Sequence, residues 1–136
     1  METIITYRNT EKGVLLDCES MGEGRFIRQS SSLDRYGHVV LKIEPMKDGN
    51  PQSVFSWEVT EDQIPFVFFD ATLEGIKRYY EKDEFPGTHL SGARIRVIGG
   101  SFNPVDSSAM CYSIAAMFAI KEALRKIGIS NEDENV

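Results

Sequence analysis

Apolar and polar residues alternate through much of the first half of the chain, and the period changes after residue 60. Val39, Leu41 and Ile43 alternate with Val40, Lys42 and Glu44, a period of two that marks a strand buried on one face. Pro45 closes this run, Asp48-Gly49-Asn50-Pro51 is a turn signal, and Val54 to Val59, with Phe55 and Trp57 on one side, reads as another strand. Upstream, the β-branched and apolar runs Ile4 to Tyr7 and Val14 to Glu19 flank the polar Asn9-Thr10-Glu11-Lys12-Gly13 and predict a hairpin. Gly24 to Gln29 is extended and leads into Ser30-Ser31-Ser32. From Phe66 the spacing becomes helical: Phe66, Phe69, Leu73, Ile76 and Tyr80 recur at threes and fours, with Glu74, Lys77 and Arg78 off that stripe. Phe85-Pro86-Gly87 ends this region, and Ala93 to Ile98 alternates with Arg94 and Arg96 as a further strand. Asp106 or Ser107 is the expected N-cap of a last helix that turns Met110, Ile114, Met117, Leu124 and Ile127 inward and stops at Gly128. The order β-β-β-β-α-β-α predicts an α+β fold, a four-stranded, mostly antiparallel, meander-like sheet with two helices on one face. One domain over 1–130 and a polar tail over 131–136 are expected.

Composition narrows the class. A chain of 136 residues fits a single core of ordinary size. Its 41% hydrophobic and 26% charged residues are those of a globular domain. The longest apolar stretch, around Ile64 to Phe69, is too short to span a bilayer, and Met1-Glu2-Thr3 lacks the basic start of a signal peptide. A cytoplasmic protein with no membrane partner is expected. Cys18 and Cys111 form no Cys-x-x-Cys pair and have no nearby histidine, so both are expected to be small buried apolar residues. His38 and His89 are far apart in sequence as well, which leaves no metal-ligand cluster and no cofactor signal. The formal net charge of −6 excludes a broad RNA-coating surface, although Arg25, Arg28 and Arg35 gather around one loop and permit a local basic tip.

Two separated runs carry the most specific signal. The first is Arg28-Gln29-Ser30 leading to Tyr36-Gly37-His38-Val39; the second is Gly100-Ser101-Phe102-Asn103-Pro104-Val105-Asp106-Ser107-Ser108. They are followed by a helix carrying Ala115, Ala116, Ala119, Lys121 and Glu122. Together they resemble domain IV of elongation factor G, whose pattern reads R-Q-S-G-G-R-G-Q-Y-G-H-V, then G-S-Y-H-D-V-D-S-S, then A-A-x-x-A-F-K-E. The resemblance implies a left-handed β-α-β crossover. It also implies a non-catalytic arm that enters the decoding centre of the small ribosomal subunit and meets transfer and messenger RNA during translocation. By the same resemblance Arg28, Gln29, Ser30, Arg35, Tyr36, His38, Asn103, Asp106 and Ser107 are tip residues that contact RNA.

The chain departs from the pattern at several positions. Ser31-Ser32-Leu33-Asp34 stands where the family has Gly-Gly-Arg-Gly, which removes a positive charge and adds a negative one. Asn103 replaces a histidine and Pro104 an acidic residue. Asparagine still donates and accepts hydrogen bonds but carries no charge. Read from the residues alone, His38 is a structural imidazole, and loop two is equally a rigid turn that delivers Asp106 and Ser107 to the last helix. No Gly-x-x-x-x-Gly-Lys-Ser/Thr run is present to wrap a nucleotide's phosphates. The family's GTPase domain has no counterpart here, so no enzyme is expected. The chain is expected to be either an excised domain or a free-standing one, and Met1 and the polar end of the chain favour the expectation of a separate small gene. The alternatives are a free-standing interaction domain with no ribosomal role and a small-molecule enzyme, with Ser107 or Ser108 as nucleophile.

Overall fold

The computed structural model describes residues 1–6, 10–29, 34–47, 49, 51–81 and 87–129. Its elements are β1 (Glu2–Ile5), β2 (Thr10–Leu15), β3 (Ser20–Arg28), β4 (Arg35–Pro45), β5 (Ser53–Trp57), a 3-10 turn (Phe66–Phe68), α1 (Phe69–Glu81), β6 (Gly87–Ser91), β7 (Ala93–Ser101) and α2 (Ala109–Lys126). The fold is α+β, as expected, but the main sheet has five strands, in the order β1-β5-β7-β4-β3. It is mostly antiparallel; β5 and β7, joined through α1, run parallel.

The predicted hairpin does not form. β1 pairs with β5, while β2 leaves the sheet to pair in parallel with β6, a strand the sequence did not reveal. The open edge of β5 satisfies the backbone of β1 and buries Ile5, a gain that a two-stranded ribbon in water lacks. Gly13 lies where a Cβ would stand 2.7 Å from Ser91 Cβ, so β2 packs closely on β6.

Alternation places Val39, Leu41 and Ile43 of β4, Ile95 and Val97 of β7, and Phe55 of β5 on one face, all with no exposed surface. Both helices cover that face. Phe69 of α1 packs edge-on against Phe55 at 5.2 Å, and α2 crosses β3 and β4. The α1 stripe is rotated from expectation: Phe69, Thr72, Ile76 and Tyr79 are buried, whereas Phe66 lies in the 3-10 turn and is exposed. Pro65 precedes that turn and leaves Phe66 outside the helix. The side chain of Tyr80 lies outside the described residues. On α2 the buried residues are Cys111, Tyr112, Ala115, Ala116, Ala119, Ile120, Ala123 and Leu124, and Met110 is exposed. The small residues are inward because the glycines of β3 bring its backbone against the helix. Gly128, at φ 81°, ends α2 as expected; its N–H reaches Arg125 O and that of Ile129 reaches Leu124 O. Cys111 is buried, but Cys18 is exposed, because it sits in the bend between β2 and β3 and not on a core-facing strand position.

Candidate nucleic-acid interface

Loop one grows out of the β3–β4 hairpin, whose last paired residues are Arg28 and Arg35. Like charges directly opposed across a ladder repel, and each guanidinium rests on its own apolar support. Arg28 lies over the Phe26 ring, 5.4 Å from its centroid, and Arg35 Nη1 is 3.7 Å from Met110 Sδ of α2. Gln29 is exposed beside them. Ser30, with 31–33, lies outside the described residues. Tyr36 and His38, one and three positions beyond Arg35, point to the opposite, helix-free face of the sheet.

Loop two leaves β7 and folds against loop one. Asn103 Oδ1 accepts from the backbone N–H of Val105 at 2.8 Å and of Asp106 at 3.0 Å, while Asn103 O accepts from Ser107 N–H at 3.0 Å. The amide oxygen is thus spent in building the loop's own turn. Tyr36 N–H donates to Asp106 O at 3.1 Å, and Ser107 Oγ donates to Tyr36 O at 2.9 Å while accepting from Asn103 N–H at 2.9 Å. The two loops are therefore one unit. The expected capping role of Asp106 and Ser107 is not what the structure shows. Ser108 is the N-cap and makes no side-chain cap bond, its hydroxyl lying 3.2 Å from Cys111 Sγ, while the Ser107 hydroxyl donates to the carbonyl of Tyr36 in loop one. Behind the loops, Tyr112 Oη donates to Ser101 O at 2.6 Å, and the ring of Phe68 stacks on Tyr112 at 4.4 Å. Burial pushes the Tyr112 phenol up to about 12, so it stays a donor at neutral pH.

Ser101 and Glu23, which the sequence reading did not single out, complete the site on the open face. Ser101 Oγ is 2.7 Å from Tyr36 Oη and 2.8 Å from His38 Nδ1, and His38 Nε2 is 2.5 Å from Glu23 Oε2. A bulge at Ile98 makes this possible. Val97 opposes Leu41 but Gly99 opposes Val40, so one residue of β7 is skipped. Beyond the bulge the alternation of β7 is inverted, and Ser101, opposite His38, leaves the core face for the open one. Gly100, at φ 154°, accommodates the change where a Cβ would stand 2.4 Å from His38 O. Seen from the residues, His38 is a structural imidazole with both nitrogens engaged. A serine–histidine–carboxylate order also occurs in nucleophilic hydrolases, but there the serine oxygen is open to substrate, whereas here it is bonded to Tyr36.

The electrostatics of this end are mixed. Arg25 is paired with Glu23 at 3.1 Å, leaving Arg28 and Arg35 as the tip's positive charges against Asp34 and Asp106. Among the described residues no three His, Cys, Asp or Glu side chains come together as a metal site. No helix among the described residues is long and apolar enough to cross a membrane.

Most of the chain matches a known family. The model for elongation factor G, domain IV, matches residues 12–127. Elongation factor G of Carsonella ruddii (strain PV) is 35% identical over 122 residues, covering 90% of this chain and 17% of the relative. Its counterpart in Pseudothermotoga lettingae is 32% identical over 122 residues, covering 89% and 17%. A crystal structure from Thermus thermophilus superposes with a TM-score of 0.70 at 30% identity, over 82% of this chain and 16% of that one. The chain thus spans about one sixth of the relatives' length, and its match excludes their remaining domains. By the family model over residues 12–127, by sequence identity and by sheet and helix architecture, this chain belongs to the elongation factor G domain IV family.

Proposed function

We propose that this domain is a non-catalytic arm of the translation apparatus, whose tip contacts RNA in the decoding centre of the small ribosomal subunit. The observation that supports this reading best is the union of the loops, through the Tyr36 N–H to Asp106 O and Ser107 Oγ to Tyr36 O bonds. They hold Arg28 and Arg35 on the helix side and Tyr36 on the open side of one tip at the end of the sheet, with Gln29 exposed beside the arginines. Arginines suit phosphates, and Tyr36 suits a ribose or base. Asp106 and Ser107 then serve the tip through its geometry, and Ser30, a proposed contact by resemblance, remains one. Transfer RNA and messenger RNA are the partners, and the setting is cytoplasmic.

Two arginines neutralise few phosphates, so the detached domain binds weakly, with Kd of ~10⁻⁴ M or above at physiological salt. In the full-length relatives other domains would hold such an arm at high effective concentration. Pelleting with small ribosomal subunits through a sucrose cushion, at low and near-physiological salt, tests the proposal. Binding at low salt that weakens as salt rises, and weakens further in Arg28→Ala/Arg35→Ala, is expected. A second reading, a domain repurposed for another interaction, draws on Asn103, whose side-chain oxygen is turned into the loop. Absence of binding at both salts would favour it.

A further inference from the structure

Hydrogen-bond donors and acceptors along the open face form a chain with a defined direction. Its members are Tyr36 on β4, Ser101 on β7, His38 on β4 and Glu23 on β3. The titratable and charged groups that face His38 are Glu23 and Arg25 from β3 and Tyr36 from its own strand, with the Ser101 hydroxyl from β7. The His38 hydrogen bond, opposed by desolvation and helped by Arg25, holds the Glu23 carboxyl below its usual range, so it is ionised at neutral pH. An ionised carboxylate only accepts. His38 Nε2 must therefore carry a proton.

In the neutral imidazole Nδ1 then holds a lone pair. Ser101 donates into it, and Tyr36 donates into Ser101 Oγ. The phenol proton points inward, and the Tyr36 oxygen offers only lone pairs to the outside. Protonation of His38 places a hydrogen on Nδ1, which donates to Ser101 Oγ. The serine proton needs a new acceptor, and among its described partners that is Tyr36 Oη. The phenol proton then turns outward. We infer that His38, acting through Ser101, sets the hydrogen-bonding sense of the Tyr36 hydroxyl, so that the tip shows an acceptor there when the imidazole is neutral and a donor when it is protonated. This rests on the RNA-contacting reading above and refines it. The acceptor form suits a ribose 2′-hydroxyl, the donor form a phosphate oxygen. His38 and Ser101 are positioning residues in this scheme, and Tyr36 makes the contact.

The test has two arms, both on the whole chain. Ring-nitrogen ¹⁵N shifts of His38, assigned with His38→Gln and followed from pH 5 to 8, report the tautomer directly. The neutral ring is expected as the Nε2–H form, with an Nδ1 shift that changes in Ser101→Ala, where the lone pair loses its donor. An Nδ1–H tautomer overturns the inference whether or not RNA binds. In the second arm, shift perturbation by a short single-stranded RNA at low ionic strength is titrated at both ends of that pH range. Wild-type affinity is expected to change about threefold, the size of one hydrogen bond exchanged for another, and Tyr36→Phe and Ser101→Ala should each abolish most of the change. A pH dependence that survives in both variants overturns the inference. RNA that binds at neither pH overturns the RNA-contacting reading, and the ligand assignment with it, while the tautomer result stands or falls separately.

Discussion

Gly22 and Gly24 lack side chains because α2 lies directly on them. A Cβ at Gly24 would stand 1.8 Å from Ala115 O, and one at Gly22 would stand 2.0 Å from Ala119 O. Helix backbone cannot yield locally, so Gly24→Ala should lift α2 off the sheet and cost about 3 kcal/mol, the upper range for overpacking a core. Gly49→Ala is the contrasting case. Its φ of +74° sits in open space, so only the left-handed strain of about 1 kcal/mol applies. Urea denaturation of both variants should separate these costs by at least twofold; equal losses would show that β3 and α2 are not in such close contact. Gly49 was legible as part of a turn signal, but the close contact of Gly22 and Gly24 with α2 was not, because a missing side chain signals nothing until its neighbour is known. Tyr36 and His38, by contrast, were named from the motif alone, and the structure adds what each is bonded to.

At the scale of elements, the helix-free face of the sheet is laced by ion pairs that cross strands. Arg96 of β7 grips Glu58 through Nε and Nη2 at 2.7 and 2.8 Å, Lys42 of β4 is 3.6 Å from Glu19, and Arg94 pairs with Glu2 of β1. The strand alternation foretold that Arg94 and Arg96 face away from the core, but their partners come from segments remote in sequence. The bond from Arg96, opposed by partial desolvation, holds the Glu58 carboxyl below its usual range. A carboxyl whose folded value is depressed contributes stability that is present above its unfolded pKa and is lost as pH falls through the folded one. Glu58→Gln should therefore cost up to about 1 kcal/mol at pH 7, a figure kept low because the side chain is a third exposed to screening water. The difference between variant and wild type should shrink below pH 4.5, as denaturant midpoints across pH will measure. A deficit unchanged at pH 3 would mean that packing, not charge, makes the contribution.

For the molecule as a whole, the chain offers a scaffold with a shaped tip and no Gly-x-x-x-x-Gly-Lys-Ser/Thr run for nucleotide phosphates. Titration calorimetry with GTP and a non-hydrolysable analogue should show no heat of binding; micromolar affinity would contradict the reading of a non-catalytic arm. The overall class was legible because period-two and helical stripes are local properties, repeated over several turns or pairs. Strand partnership was not. β1 seeks the free edge of β5 and β2 seeks β6, and each choice depends on which backbone groups remain unsatisfied once the rest of the sheet has formed.

Residue order alone determined the α+β class, the core-facing positions Val39, Leu41, Ile43, Ile95 and Val97, the C-terminal stop at Gly128 and the two loops that place the chain in its family. Only the tertiary structure decided that Ser101 meets His38. By simple alternation from Ile95 and Val97, Ser101 belongs on the core face, and it reaches the open face because the skipped residue at Ile98 inverts the alternation of β7. A bulge is a property of two strands in register, and no single strand's pattern contains it.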